Sequence, residues 1–133
     1  MTGADIIGAL LTADAAVLDV VAVDRIKEDR LPDGVALPAI LVRTVSSVDR
    51  QPLKRGAVER QVDRVSVTVR AVSVRDRKDV IRRIRECCTG RTGDISGALR
   101  VSVLSAGLGP SLIGPGDTFE QTQDFKVSFD ALT

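Results

Sequence analysis

Apolar residues recur along this chain with two different periods, and the changes between them mark out its elements. Ile6, Ile7, Leu10 and Leu11 fall at helical spacing, and Val17, Leu18 and Val21 continue it, so residues 4–21 read as helix. Thr12 and Asp14 both suit an N-cap, which allows two short helices with a break near Ala13. From 25 to 38, Pro32, Asp33-Gly34 and Pro38 punctuate a short extended piece and a turn. Residues 39–48 are rich in β-branched side chains and read as a strand, followed by a polar, basic connection over 49–60. Val65, Val67, Val69 and Ala71 then alternate with Ser66, Thr68 and Arg70, the period of a strand with one face buried. The two runs predict a long antiparallel hairpin.

The period then returns to that of a helix. Asp76 is read as the N-cap, with Asp79 three residues on approaching a capping box. Val80, Ile81, Ile84, Cys87 and Cys88 form one apolar face, Arg77, Arg82, Arg83 and Arg85 are placed in solvent, and Gly90 ends the helix at C′. Residues 91–97 read as a turn-rich loop, and 99–104 as a strand with Val101 and Val103 on one face. A Gly/Pro-rich stretch over 107–116 leads to a last strand, 118–130, with Phe125, Val127 and Phe129 inward and Asp124, Lys126, Ser128 and Asp130 outward. The order α-β-β-α-β-β predicts an α+β fold. Its sheet is expected to be four-stranded and mainly antiparallel, with the helices on one face.

Length changes little in this picture: 133 residues suit a single domain that buries roughly two-thirds of its unfolded surface. Composition narrows the chemistry more. Histidine is absent, so the commonest general base and metal ligand are both missing. Trp and Tyr are also absent, which weakens any base-stacking platform. Cys87 and Cys88 are adjacent, a spacing that suits neither a disulfide framework nor zinc, and they read as reduced core or interface thiols. With 19 basic and 18 acidic residues there is no global field to gather nucleic acid or anionic membrane. The N-terminus lacks a basic signal-peptide region, and no apolar run approaches the roughly 20 residues of a membrane span. The chain is therefore expected to be soluble.

No local motif supplies an active site. The glycine-rich stretch leads into a strand, whereas a phosphate cradle needs a helix N-terminus after it, so it reads as a hairpin connection or contact arm. Ser46, Ser47 and Ser111 have no histidine partner, and no pair of carboxylates stands out by its spacing. Arg50, Lys54, Arg55, Arg60 and Arg64 are interleaved with Asp49, Glu59 and Asp63. That mixture reads as a solvated hairpin tip, a subunit contact or a phosphate contact. An open sheet also leaves strand edges available for pairing. No enzyme, cofactor or metal is expected.

The run ADAAVLDVV, then RIKEDRLPDGVALPAILVRTVSS, then VDRVSVTVRA, then a helix and two strands, resembles the tail-completion (tail-terminator) family of tailed bacteriophages. Leu31, Pro32, Gly34, Leu37, Pro38 and Ala39 stand where that family has its "LP…G…LPA" segment, and the resemblance spans roughly residues 5–130. Ala71 stands where members more often carry an aromatic, and the first strand lacks their Tyr. The resemblance implies a structural subunit that forms a hexameric ring on the last ring of the tail tube. Such a ring stops polymerisation and presents a surface to the head connector. It implies as partners a second copy of the chain, the tube protein and the connector protein, with DNA only as passing cargo in a near-neutral lumen and no membrane. Assembly is expected in the bacterial cytoplasm, and residence at the virion neck. The implied contact residues are Arg50, Lys54, Arg55 and Arg60 in the hairpin, and Gly107, Pro110, Leu112, Ile113 and Pro115 in the arm. A small cytosolic α+β binding domain, or a neighbouring neck or minor-tail protein, is the alternative.

Overall fold

The computed structural model describes residues 2–32, 34–50 and 52–132. Asp33, one half of the expected Asp-Gly turn, and Gln51 in the hairpin lie outside them; Gly34 has the positive φ, +75°, that its turn needs.

Helix α1 (Gly3–Thr12) and the short α2 (Ala15–Leu18) are broken at Ala13, as the two N-cap candidates allow. Asp14 caps α2 by accepting from the N–H groups of Ala16 and Val17. Thr2 caps α1 in a reciprocal box with Asp5. Strand β1 (Ile26–Glu28) follows, then β2 (Ala39–Arg50) and β3 (Val58–Ala71). Helix α3 (Val74–Cys88) is capped three residues before the expected Asp76, because Ser73 accepts from the N–H of Asp76 and starts the helix itself. Gly90 follows its end with φ +79°.

The remaining strands correct the expectation of a four-stranded sheet. The segment read as a loop contains β4 (Thr92–Ile95), hairpinned to β5 (Ala98–Leu108). The Gly/Pro stretch contains β6 (Leu112–Gly114), and β7 (Thr118–Leu132) closes the chain. Seven strands form one sheet in the order β1-β2-β3-β7-β5-β4, with β6 pairing the start of β7. Only the β1–β2 pair is parallel.

Strand β7 is central and pairs β3 from Val58↔Leu132 to Ala71↔Phe119 without a break. Val65, Val67 and Val69 on β3, Phe125, Val127 and Phe129 on β7, and Val101 and Val103 on β5 are buried in one core. Ile6, Ile7 and Leu11 of α1 and Val80, Ile84 and Cys88 of α3 complete it. Burying each of the larger side chains contributes roughly 1.5–3 kcal/mol, so β3 and β7 form the rigid axis of the fold.

The N-terminus of α1 is seated on β3. Asp63, read from the sequence as part of a solvated tip, is fully buried. Its carboxylate accepts from the Gly3 N–H at 2.7 Å, from the Ser47 hydroxyl at 2.5 Å and from the Gln61 amide at 3.0 Å. Thr44 accepts from the next N–H, that of Ala4, at 3.2 Å. Two of the helix's orphan donors are thus satisfied across the sheet. A Cβ on Gly3 would lie 2.7 Å from Asp63 Cβ and 2.8 Å from Val65 Cγ2, so only glycine permits this approach.

Cys87 and Cys88 are unpaired and buried. A hydrogen bond with the Cys87 side chain, then burial, push the Cys88 thiol far up, leaving essentially no thiolate at neutral pH. Neither thiol should react with a water-soluble disulfide reagent in the folded chain, and both should react in denaturant. Rapid labelling of the native protein would show that this end of α3 opens readily.

Candidate assembly surfaces

The two sequence-predicted contact loops lie at opposite ends of the central strands. β7 begins beside the Gly/Pro arm and ends beside the β2–β3 hairpin, and its 15 residues span roughly 45–50 Å at strand rise. The structure does not bring the two sets of residues into one site. It holds them apart along one axis.

At the hairpin end, a bulge between Thr44 and Ser46 turns the last part of β2 outward. Val45, Val48 and Leu53 are all exposed, Leu53 completely. Arg50, Lys54 and Arg55 are exposed beside them. Arg60 differs: its Nη1 donates to Asp130 at 3.1 Å and to the Arg100 carbonyl at 2.8 Å, so it is held within the sheet.

At the other end, the arm is a built structure. Gly107 sits in a bulge of β5 with φ +114°, a conformation that favours glycine. The Gly109 N–H donates to the Thr122 carbonyl at 2.8 Å, and the Gln121 amide donates back to the Gly109 carbonyl at 2.9 Å. Gly114 lies so close over β7 that an added Cβ would fall 2.8 Å from Thr118 Oγ1. The resulting short strand presents Leu112 at 58% and Ile113 at 74% exposure, flanked by exposed Pro110 and Pro115. Exposed apolar side chains held on fixed backbone lose little entropy on docking, which favours contact over mobility.

Between the two ends, the sheet face away from the helices is cross-linked by charge. Arg64 donates to Asp124 at 2.8 and 2.9 Å, Arg70 to Glu120 at 2.8 Å, and Thr68 shares a hydrogen bond with Thr122 at 2.9 Å. Asp130 takes Arg100 at 2.5 Å in addition to Arg60. The hydrogen bond from Arg100, opposed by partial burial and reinforced by Arg60, holds the Asp130 carboxyl below the usual carboxylate range. This cluster therefore stays ionised at neutral pH and loosens only as acid takes the pH down through that lowered value.

Both flanks of the sheet are open over part of their length among the described residues. β1 covers β2 only through the residues facing Ile40–Val42, and β4 covers β5 no further than Ser102. Sequence reasoning missed the α3 flank: Arg77, expected in solvent, is buried at 6% exposure, and its Nε has no hydrogen-bond partner among the described residues. No cluster of metal-ligating side chains occurs among the described residues, and none of their helices is long and apolar enough to cross a membrane.

This geometry defines a class: an α+β sheet protein with helices on one face, polar cross-links on the other and apolar loops exposed at both ends. The chain belongs to the tail completion protein gp17 family, whose profile matches residues 6–129, and it is a structural protein of the phage-tail kind. In fold it is similar to a solved chain described as "Virion of native gene transfer agent (GTA) particle". The two superpose with a TM-score of 0.77 over 97% of this chain and 95% of that one, at 11% sequence identity. No curated protein matches the sequence.

Proposed function

We propose that this chain is a non-enzymatic subunit of a hexameric ring that sits on the end of a tail tube. There it ends tube polymerisation and joins the tail to the head connector. The observation that carries the reading is the placement of two exposed contact ends at opposite limits of one rigid, 15-residue strand. A terminator must bind tube on one side and connector on the other, and this subunit offers a separate structured surface to each. Family membership and the virion origin of the similar fold support the same role.

In this reading the partners are further copies of the chain, the tube protein and the connector protein. The helix-free face lines the channel. There Arg60, Arg64 and Arg70 are each engaged by a carboxylate, so DNA passes without a row of free guanidinium groups to hold it. Assembly takes place in the bacterial cytoplasm and the ring remains at the virion neck.

The test is to polymerise the tube protein with increasing amounts of this chain and to measure tube lengths by negative-stain imaging. Capping predicts progressively shorter tubes with the chain at one end only; lengths that do not respond would remove the terminator role. The variant Lys54→Glu/Arg55→Glu should fold normally but cap more slowly, with a weaker dependence on salt, because exposed contact charges act chiefly on association rate. Unchanged capping rates would exclude the hairpin tip as a contact.

A further inference from the structure

Each outer strand of the sheet has an uncovered stretch that carries no charge. β1 covers β2 at Ile40–Val42, and no strand among the described residues pairs the same edge beyond it. On the other side, β4 and the Gly90–Arg91 segment cover β5 as far as Val103, and no described strand pairs that edge from Leu104 to Leu108. Residues 44–48 read TVSSV and residues 104–108 read LSAGL, without a charge or a proline. Open edges are ordinarily guarded by charge, proline or a covering element. A bulge also guards an edge, because a regular strand cannot follow it; here both edges are bulged.

The two bulges match. On β5, the Val103 N–H donates outward to the Arg91 carbonyl and the Val103 carbonyl accepts from the Gly90 N–H, each at 2.9 Å. Strand alternation then turns the backbone groups of Ser105 outward next. The bulge between Ser105 and Gly107 shifts the alternation, and the Gly109 N–H turns inward to Thr122, so the following outward residue is Leu108. On β2, the Val42 carbonyl turns outward to the Asp29 N–H, and Thr44 follows. The bulge between Thr44 and Ser46 makes Ser47 the next. Each edge thus presents two outward residues three positions apart, where a regular strand would space them by two.

Strands β2, β3, β7 and β5 alternate in direction, so β5 of one copy runs antiparallel to β2 of a second copy set beside it with the same face outward. We propose that these two edges pair between copies, Thr44 opposite Leu108 and Ser47 opposite Ser105. That register sets Val48, 60% exposed, against Leu104, 55% exposed. Both lie on the helix-free face, Val48 level with Val62 and Leu104 level with Lys126, so they form an apolar cross-strand pair. Asp49, exposed and without an ion pair among the described residues, arrives beside the neighbour's Arg91. At the other limit β5 gives way to Pro110, opposite the point where β1 takes over the edge of β2 at Val42. Two different edges of one chain make a heterologous contact, which in a ring repeats from copy to copy until no edge is left open. The proposal deepens the ring reading and rests on it for the identity of the partner.

Disulfide trapping of the full chain tests it, both on tube ends and free at concentrations up to about 1 mM so that a weak contact is populated. Under mild oxidation Val48→Cys/Leu104→Cys should give a ladder of covalent multimers up to the closed ring, because directly opposed strand positions bring their Cβ atoms within disulfide reach. An equal mixture of the two single variants should stop at the dimer, and either single variant alone should stay uncrosslinked. The native thiols are buried and do not compete. Val48→Asp, a change at an exposed position, should leave the melting temperature of the dilute chain unchanged and weaken association at least tenfold. Wild-type association without a ladder from the double-cysteine variant, or undiminished by Val48→Asp, would overturn this contact and leave the ring reading standing. Crosslinking of one single variant to itself would mean that like edges meet, and would also overturn the pairing. Absence of wild-type association, both free and on tube ends, would overturn both.

Discussion

Asp63→Ala should lower the free energy of unfolding by about 3 kcal/mol, because hydrogen bonds to a charged, buried acceptor are each worth roughly 1.5–3 kcal/mol and their loss strands the donors. The donors are the Gly3 N–H, the Ser47 hydroxyl and the Gln61 amide. The first belongs to a helix N-terminus, where a carboxylate also meets the positive end of the helix dipole. Gly3 cannot move in to close the gap without driving α1 further into Val65. A loss of this size is a large share of the 5–15 kcal/mol typical of a whole domain. Asp63→Asn, which keeps one acceptor and the shape, should cost about half as much. Urea denaturation of the three proteins decides the matter, and a loss under about 1 kcal/mol for the alanine variant would mean that α1 is held by apolar packing alone.

The second large effect concerns function and leaves the fold intact. Leu112→Asp/Ile113→Asp changes two side chains that are 58% and 74% exposed on a strand anchored by its pairing with β7. Melting should therefore hardly move. If this arm is a docking surface, each residue has the character of an apolar anchor worth about 2 kcal/mol, and carboxylates there add desolvation cost. Together they should raise the concentration of chain needed to join heads to tails in an extract lacking it by about 1,000-fold. A change within about twofold, the range of ordinary surface substitutions, would remove the arm from the contact.

The sequence was legible where one face of an element is buried and the other wet. The alternation of Val65, Val67, Val69 and Ala71, and of Phe125, Val127 and Phe129, placed the two central strands and their inward faces. The short strands were not legible. β1 and β6 have three residues and β4 has four, too few for a period to show, and they exist because longer neighbours offer them hydrogen bonds. Ser73 and Asp76, three residues apart, are equally good capping types, so sequence alone does not separate them as the cap of α3.

Charged side chains misled for a different reason. Asp63 and Arg77 lie at inward positions of their elements, where periodicity expects apolar residues, and ordinary solvation rules put both in water. The partner that buries Asp63 lies 60 residues away at Gly3, a distance no local pattern bridges. The buried Arg77 Nε has no hydrogen-bond partner among the described residues, and only the folded chain shows that it lacks one. Of the expected contact residues, the exposed apolar pair of the arm and the basic tip were both readable as surface, whereas the ion pair that holds Arg60 on Asp130 depends on register across β3 and β7.

The central claim is that this chain stands as a ring between tube and head. Electron microscopy of intact particles carrying a gold label on this chain tests it most directly. The account predicts a single cluster of label at the head–tail junction of every particle. Label spread along the tube, or confined to the distal tip, would contradict it.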